Sequence, residues 1–172
     1  MLGIGNGLPA HRGTYNEVLS YTSDFSSGVN GWEFINEEGE VTLTGNVDGF
    51  DGVDDWLKGE YSITQTDTSG IQLSSYGNIK AGDFTTVTFK IHLSEDWNGS
   101  DIVATKYSIG GLPLGIFYVT QDTTQTVNKT LYHTADSSTL PKIFWDVTSD
   151  LPQAGAIFHI KDIVFKTFRL NG

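Results

Sequence analysis

Cysteine is absent from the 172 residues, and methionine occurs once, at Met1. Without thiols there is neither a disulfide framework nor a thiolate zinc site, and a chain of this length can bury a full core without such staples. Basic residues are few: ten Lys and Arg stand against 21 Asp and Glu, a formal net charge of -11. They are scattered singly from Arg12 to Arg169 with no basic patch, so neither a nucleic acid nor an anionic membrane surface is expected as a partner. No apolar run approaches the length that spans a bilayer, and no segment keeps a 3.6-residue period.

The usual marks of catalysis are missing too. There is no Gly-x-Ser-x-Gly elbow, no phosphate loop and no His-Glu-x-x-His. The glycines of Gly3-Ile-Gly5-Asn-Gly7 follow no strand and open no helix, which removes a nucleotide site. His11, His92, His133 and His159 stand at no metal-ligand spacing, and the last three fall in alternating runs as ordinary strand positions. The chain is therefore expected to be a non-enzyme with no cofactor and no metal.

What is present is β-structure. From Thr85 to Ser94, Val87, Phe89, Ile91 and Leu93 alternate with Thr86, Thr88, Lys90 and His92, the pattern of a strand with one dry face. Similar alternation marks Val41–Leu43, Tyr61–Ile63, Val127–Leu131 and Ile143–Val147. Ile116–Val119 is apolar on both sides and reads as a central strand covered on both faces. Turn residues cluster at Gly28–Gly31, Gly45–Gly52, Asn98–Asp101 and Asp136–Ser138, and Thr120–Thr130 reads as a polar loop running into a strand. Short strands at this spacing predict an all-β fold, an antiparallel β-sandwich (jelly roll) over residues 21–172. Residues 1–20 are expected to form a short extended N-terminal arm or a short helix. Thr14–Glu17 has the spacing of a capping box, but a strand fits it nearly as well.

Two places carry candidate chemistry. Asp48–Trp56 is rich in carboxylates, but it has neither the order nor the distal Glu of a calcium loop, and a solvated turn is the expectation. The aromatics are the better lead, because the C–H faces of sugar rings stack on aromatic side chains. Trp56 and Trp97 sit among acidic and turn residues, so partial exposure and a ligand-facing role are expected for both. Trp32 and Trp145, in apolar settings, are assigned to the core.

Three segments resemble carbohydrate-binding modules of families 4 and 9, which have a galactose-binding-like jelly roll. Asp24-Phe-Ser-Ser-Gly-Val-Asn-Gly-Trp32 is similar to their opening, Lys80–Phe89 to a middle strand and Gly155–Phe165 to their closing strand. The resemblance implies glycan recognition through surface aromatics. It also implies a structural calcium site, but Lys161 stands beside Asp162 where the family has paired acids, which argues against the metal. In the closing strand Phe158 and Ile160 are one residue out of phase with Ile163 and Phe165, and a β-bulge at Lys161-Asp162 would bring all four to one face.

Met1 is followed by no basic and continuous apolar leader, so synthesis in a cytoplasm is expected. With the arm, this leads to a primary expectation of a virion accessory or decoration subunit of a phage. Its partners would be other virion proteins, engaged through the arm. The alternative is a carbohydrate-binding module working outside the cell on a polysaccharide or other glycan.

Overall fold

The computed structural model describes residues 13–35, 41–50, 52, 54–66, 69–97, 102–109, 112–136, 140–145 and 152–171. For 54, 102–109, 112–117 and 145 it describes the backbone alone. Two antiparallel sheets pack face to face as a sandwich. The larger holds β3 (Val41–Asp48), β4 (Asp54–Tyr61), β11 (Ile157–Leu170), β6 (Phe84–Leu93) and β9 (Gln125–Tyr132) in that order, with β1 (Tyr15–Thr22) also paired to β11. The smaller has the order β2 (Trp32–Ile35), β5 (Ser69–Leu73), β10 (Lys142–Trp145), β7 (Ile102–Ile109) and β8 (Leu112–Thr120).

The core lies between the sheets and follows the period-2 pattern. Val87, Phe89, Ile91 and Leu93 are all fully buried on β6, as their alternation predicts. Val127 and Leu131 of β9 and Leu57 and Tyr61 of β4 join them, facing Ile71, Leu73 and Ile143 of the smaller sheet. Phe25 and Trp32 are buried in the same core. Asp24 caps the single-turn 3-10 helix Phe25–Ser27 by accepting from the Ser26 amide at 3.1 Å. The Trp32 indole N–H donates to the Tyr21 hydroxyl at 2.8 Å, and that hydroxyl donates to Asn30 Oδ1 at 2.6 Å. The opening segment thus clasps β1 to the core.

The central strand β11 is the longest, and the expected bulge interrupts it. Its register against β6 shifts between Lys161 and Val164, and Asp162 takes a φ of 52°. Phe158, Ile160, Ile163 and Phe165 are all buried as a result. The shift falls where the neighbour on the other edge of β11 changes. Ile157–Ile160 pair with β4, and Val164–Leu170 pair with β1.

Several expectations are corrected here. Residues 15–20 form neither an arm nor a helix; they are the greater part of β1, so the boundary drawn at residue 20 falls inside a strand. Alternation carried these residues into the sheet because β11 offers an unpaired edge beyond β4. The Tyr61–Ile63 strand ends at Tyr61, and β3 runs through Gly45 to Asp48, with a register shift near Asn46, whose φ is 56°. β8 is not central: it lies at the edge of the smaller sheet, and Tyr118 is exposed. Residues 1–12, the greater part of the expected arm, lie outside the described residues, as do Val147 and the Trp145 side chain.

Candidate functional site

Outward-pointing residues of the larger sheet occupy the phase opposite to the core. Along β6 these are Phe84, Thr86, Thr88, Lys90 and His92; along β9 they are Thr126, Asn128, Thr130 and Tyr132. Most are polar, as a solvated face requires. At one end, however, rings gather. Phe84 lies 5.1 Å from Tyr15 of β1 at 72°, 6.0 Å from Tyr132 of β9, and stacks at 4.9 Å on Phe168 of β11. Four strands each supply one ring, and the outermost two stay in solvent: Tyr15 is 42% exposed and Tyr132 56%.

Tyr15, Phe84 and Tyr132 line an open cleft of about 930 Å³ with Ala81, Gly82, Asp83, Thr130, His133, Arg169 and Leu170. Its charged groups are mutually fixed. Arg169 grips buried Asp83 through two hydrogen bonds of 2.8 Å, and the Lys80 amide donates to the same carboxylate at 2.8 Å. Burial opposes the charge on Asp83, but the Arg169 hydrogen bonds, the Lys80 amide and the Arg169 charge outweigh it. The carboxyl is held below its ordinary range. Burial pushes His133 down, against the pull of Asp83. At the rim, Lys80 pairs with Asp136 at 2.9 Å, and Asp136 also accepts from the Ala81 amide.

Thr85, His133 and Asp83 lie near one another, an arrangement that invites comparison with a catalytic triad. The Thr85 hydroxyl is 2.8 Å from His133 Nε2 but equally close to Thr167, and Thr85 is fully buried. A hydroxyl enclosed in this way has no route to a substrate. The network instead ties the floor of the cleft to Thr167 and, through it, to Tyr76. The cleft can stack flat rings and offer polar groups at their edges.

The structure corrects the expected exposure of Trp56 and Trp97: they are 1% and 0% exposed. They also lie on opposite sides of the larger sheet and share no surface. Trp97 packs into the core edge-on to Tyr61 at 5.8 Å, and its carbonyl accepts from the Gln121 side chain. Its acidic neighbours Glu95 and Asp96 take the solvent side of the turn while the ring swings inward. Trp56 points outward from β4, but the turn after β3 folds over it. A Cβ added to Gly49 would collide with the Trp56 indole, and Phe50 lies edge-on to it at 5.8 Å. A large apolar ring recovers too much area by burial to remain in water when a turn can cover it.

Tyr15, Phe84, Tyr132 and Arg169 were not legible as a site from the sequence. Phe84 and Tyr132 did carry one signal: each is an aromatic in the outward phase of an alternating strand, where Thr and Asn are its neighbours.

No family model matches the chain, and no curated protein matches it in sequence. Solved structures do share its fold. The CBM22-1 xylan-binding domain of Paenibacillus barcinonensis Xyn10C is 13% identical with a TM-score of 0.57, over 91% of this chain and 97% of that one. The CBM22-1–GH10 modules of Clostridium thermocellum xylanase 10B, complexed with xylohexaose, are 12% identical with a TM-score of 0.60, over 88% of this chain and 29% of that one. A family 29 carbohydrate-binding module complexed with mannohexaose is 13% identical with a TM-score of 0.51, over 91% and 93%. At these identities the likeness establishes the jelly-roll fold. Of the expected resemblance to carbohydrate-binding modules of families 4 and 9, the fold is shown; the modules that share it here are of families 22 and 29.

Proposed function

We propose that this chain is a non-catalytic glycan-binding domain that takes a neutral saccharide chain in the cleft of the larger sheet. The observation that carries this reading is the row Tyr15–Phe84–Tyr132, whose two outer rings are exposed at one end of the sheet face, next to Thr86, Asn128 and Thr130. Pyranose C–H faces stack on such rings while hydroxyls meet Thr130 and the cleft's charged rim. A net charge of -11 favours a neutral ligand over a polyanionic one. The fold is shared with a xylan-binding domain and with modules complexed with xylohexaose and mannohexaose, which supports the ligand class.

Calorimetric titration with xylohexaose, mannohexaose and cellohexaose tests the reading. Binding of at least one is expected, with Tyr132→Ala weakening it about ten-fold, the worth of one stacked ring. Undiminished affinity in a Tyr15→Ala/Tyr132→Ala variant, or no binding across a broader neutral panel, rejects it. The virion role expected above draws no comparable support. It depends on the arm, of which residues 1–12 are not described and residues 15–20 belong to the sheet.

A further inference from the structure

At the opposite end of the same face, the Phe50 ring occupies a three-sided box of other rings. His92 of β6 is its floor, stacked at 3.5 Å with 14° between the planes. Trp56 of β4 and His159 of β11 are its walls, both at 88° to Phe50, with centroids at 5.8 and 5.0 Å. The walls are themselves 6.4 Å apart, and His92 and His159 are direct partners across the β6–β11 ladder. Floor and walls therefore stand on paired strands, whereas the occupant comes from a turn. Phe50 remains 52% exposed, so its ring recovers only part of the burial that its neighbours have.

The rim of the box is polar beside its floor. The Asp122 carboxylate is 3.7 Å from His92 Nε2, and the Thr124 hydroxyl 3.3 Å from Nδ1. Beside Trp56, the Lys161 ammonium is 2.8 Å from Asp55 and 5.1 Å from the indole centroid.

We propose that this box is a second ring-binding site, for a neutral pyranose unit, and that Phe50 is its internal plug. The inference rests on the glycan-binding reading above. A pyranose matches a phenyl ring in size and presents apolar C–H faces to the floor and walls, while its hydroxyls reach the Asp122 carboxylate and the Thr124 hydroxyl at the rim. Burial holds His92 below its ordinary pKa, and burial with the nearby His92 and Lys58 charges lowers His159 to about 4. Both imidazoles are therefore neutral aromatic surfaces at pH 7. With the plug in place, only the fraction of molecules whose Phe50 has swung out is competent, and apparent affinity falls by that fraction. Removing the plug should strengthen binding, the opposite of what removal of an exposed stacking platform would do.

Phe50→Ala and Phe50→Leu, titrated with methyl β-xylopyranoside and methyl α-mannopyranoside, give the test by following the His92 and His159 imidazole resonances. Saturable shifts at both imidazoles are expected in Phe50→Ala, at concentrations about ten-fold below those the native chain needs, with Phe50→Leu intermediate. Phe50→Leu keeps an apolar cover, so it carries the test if the alanine variant does not fold. Silent imidazoles in a folded variant, or equal shifts in the native chain, overturn the plug. Imidazole shifts in Phe50→Ala together with hexasaccharide affinity undiminished in Tyr15→Ala/Tyr132→Ala would keep the box and sink the cleft; the reverse would do the opposite.

Discussion

At one end of the larger sheet's outer face, Tyr15 and Tyr132 keep their rings in solvent; at the other, a turn lays Phe50 over Trp56. Eight residue steps along β6, from Phe84 to His92, separate the two clusters, about 26 Å at the usual strand rise. Both are made of aromatics in the outward phase of paired strands. What differs is the connection nearby. The turn between β3 and β4 brings Gly49 and Phe50 back over the face, and Gly49 can lie against the indole because it has no side chain. At the open end the local loop, Ala81–Asp83, uses its polar groups to bind Arg169, Lys80 and His133 and leaves the rings uncovered. The same surface chemistry becomes a packed cluster or an accessible cleft according to what the adjoining turn does.

Truncation breaks the contrast most sharply. Trp56→Ala should destabilise by about 3–5 kcal/mol, as deletion of a buried large ring does. Urea denaturation checks it, and a loss below 1 kcal/mol would mean that Trp56 is not packed.

Acid should then act on both ends. Burial, with the nearby His92 and Lys58 charges, lowers His159 from 6.5 to about 4. Its neutral form is the one the fold favours, so its stabilising share is complete above pH 6.5 and is lost as pH falls toward 4. That share is about 2 kcal/mol once partial solvent screening is allowed for. Asp83 is also lowered, but from 3.8, so its share survives until pH falls below that value. Stability measured against pH should therefore begin to fall at both ends below pH 6.5, through His159 and His92 at the covered end and His133 at the open one, and the Asp83 share should follow only below pH 3.8. His159→Gln should lessen the slope between pH 6.5 and 4 alone; an unchanged slope contradicts the assignment.

Asp83→Asn sharpens the open end. It leaves Arg169 and the Lys80 amide facing a neutral group, at a cost of about 1–2 kcal/mol. It should also lessen the slope below pH 3.8, leaving the shares of Asp24 and Asp136, which are lowered as well. Smallest of all is Tyr132→Ala, which should change stability by no more than about 0.5 kcal/mol, as exposed positions do, while weakening glycan affinity. A large stability loss there would show that the ring is structural, like Trp56.

The sequence alone determined several of the strands and their inward phases. Val87, Phe89, Ile91 and Leu93 fall in the core because a period-2 pattern admits no other face, and the bulge at Lys161-Asp162 follows from the one-residue slip between Ile160 and Ile163. These are local consequences of backbone geometry. Only the tertiary structure decided where β1 goes, since its partner β11 lies some 150 residues away, and that β8 ends a sheet rather than centring it. It also decided the aromatics. The polar neighbours of Trp56 and Trp97 report the local chain, whereas burial depends on what surrounds each ring: a turn for one, the core beside Tyr61 for the other. The cleft exists only because β1, β6, β9 and β11 deliver one ring each to the same end of one face, and no spacing along the chain records that convergence.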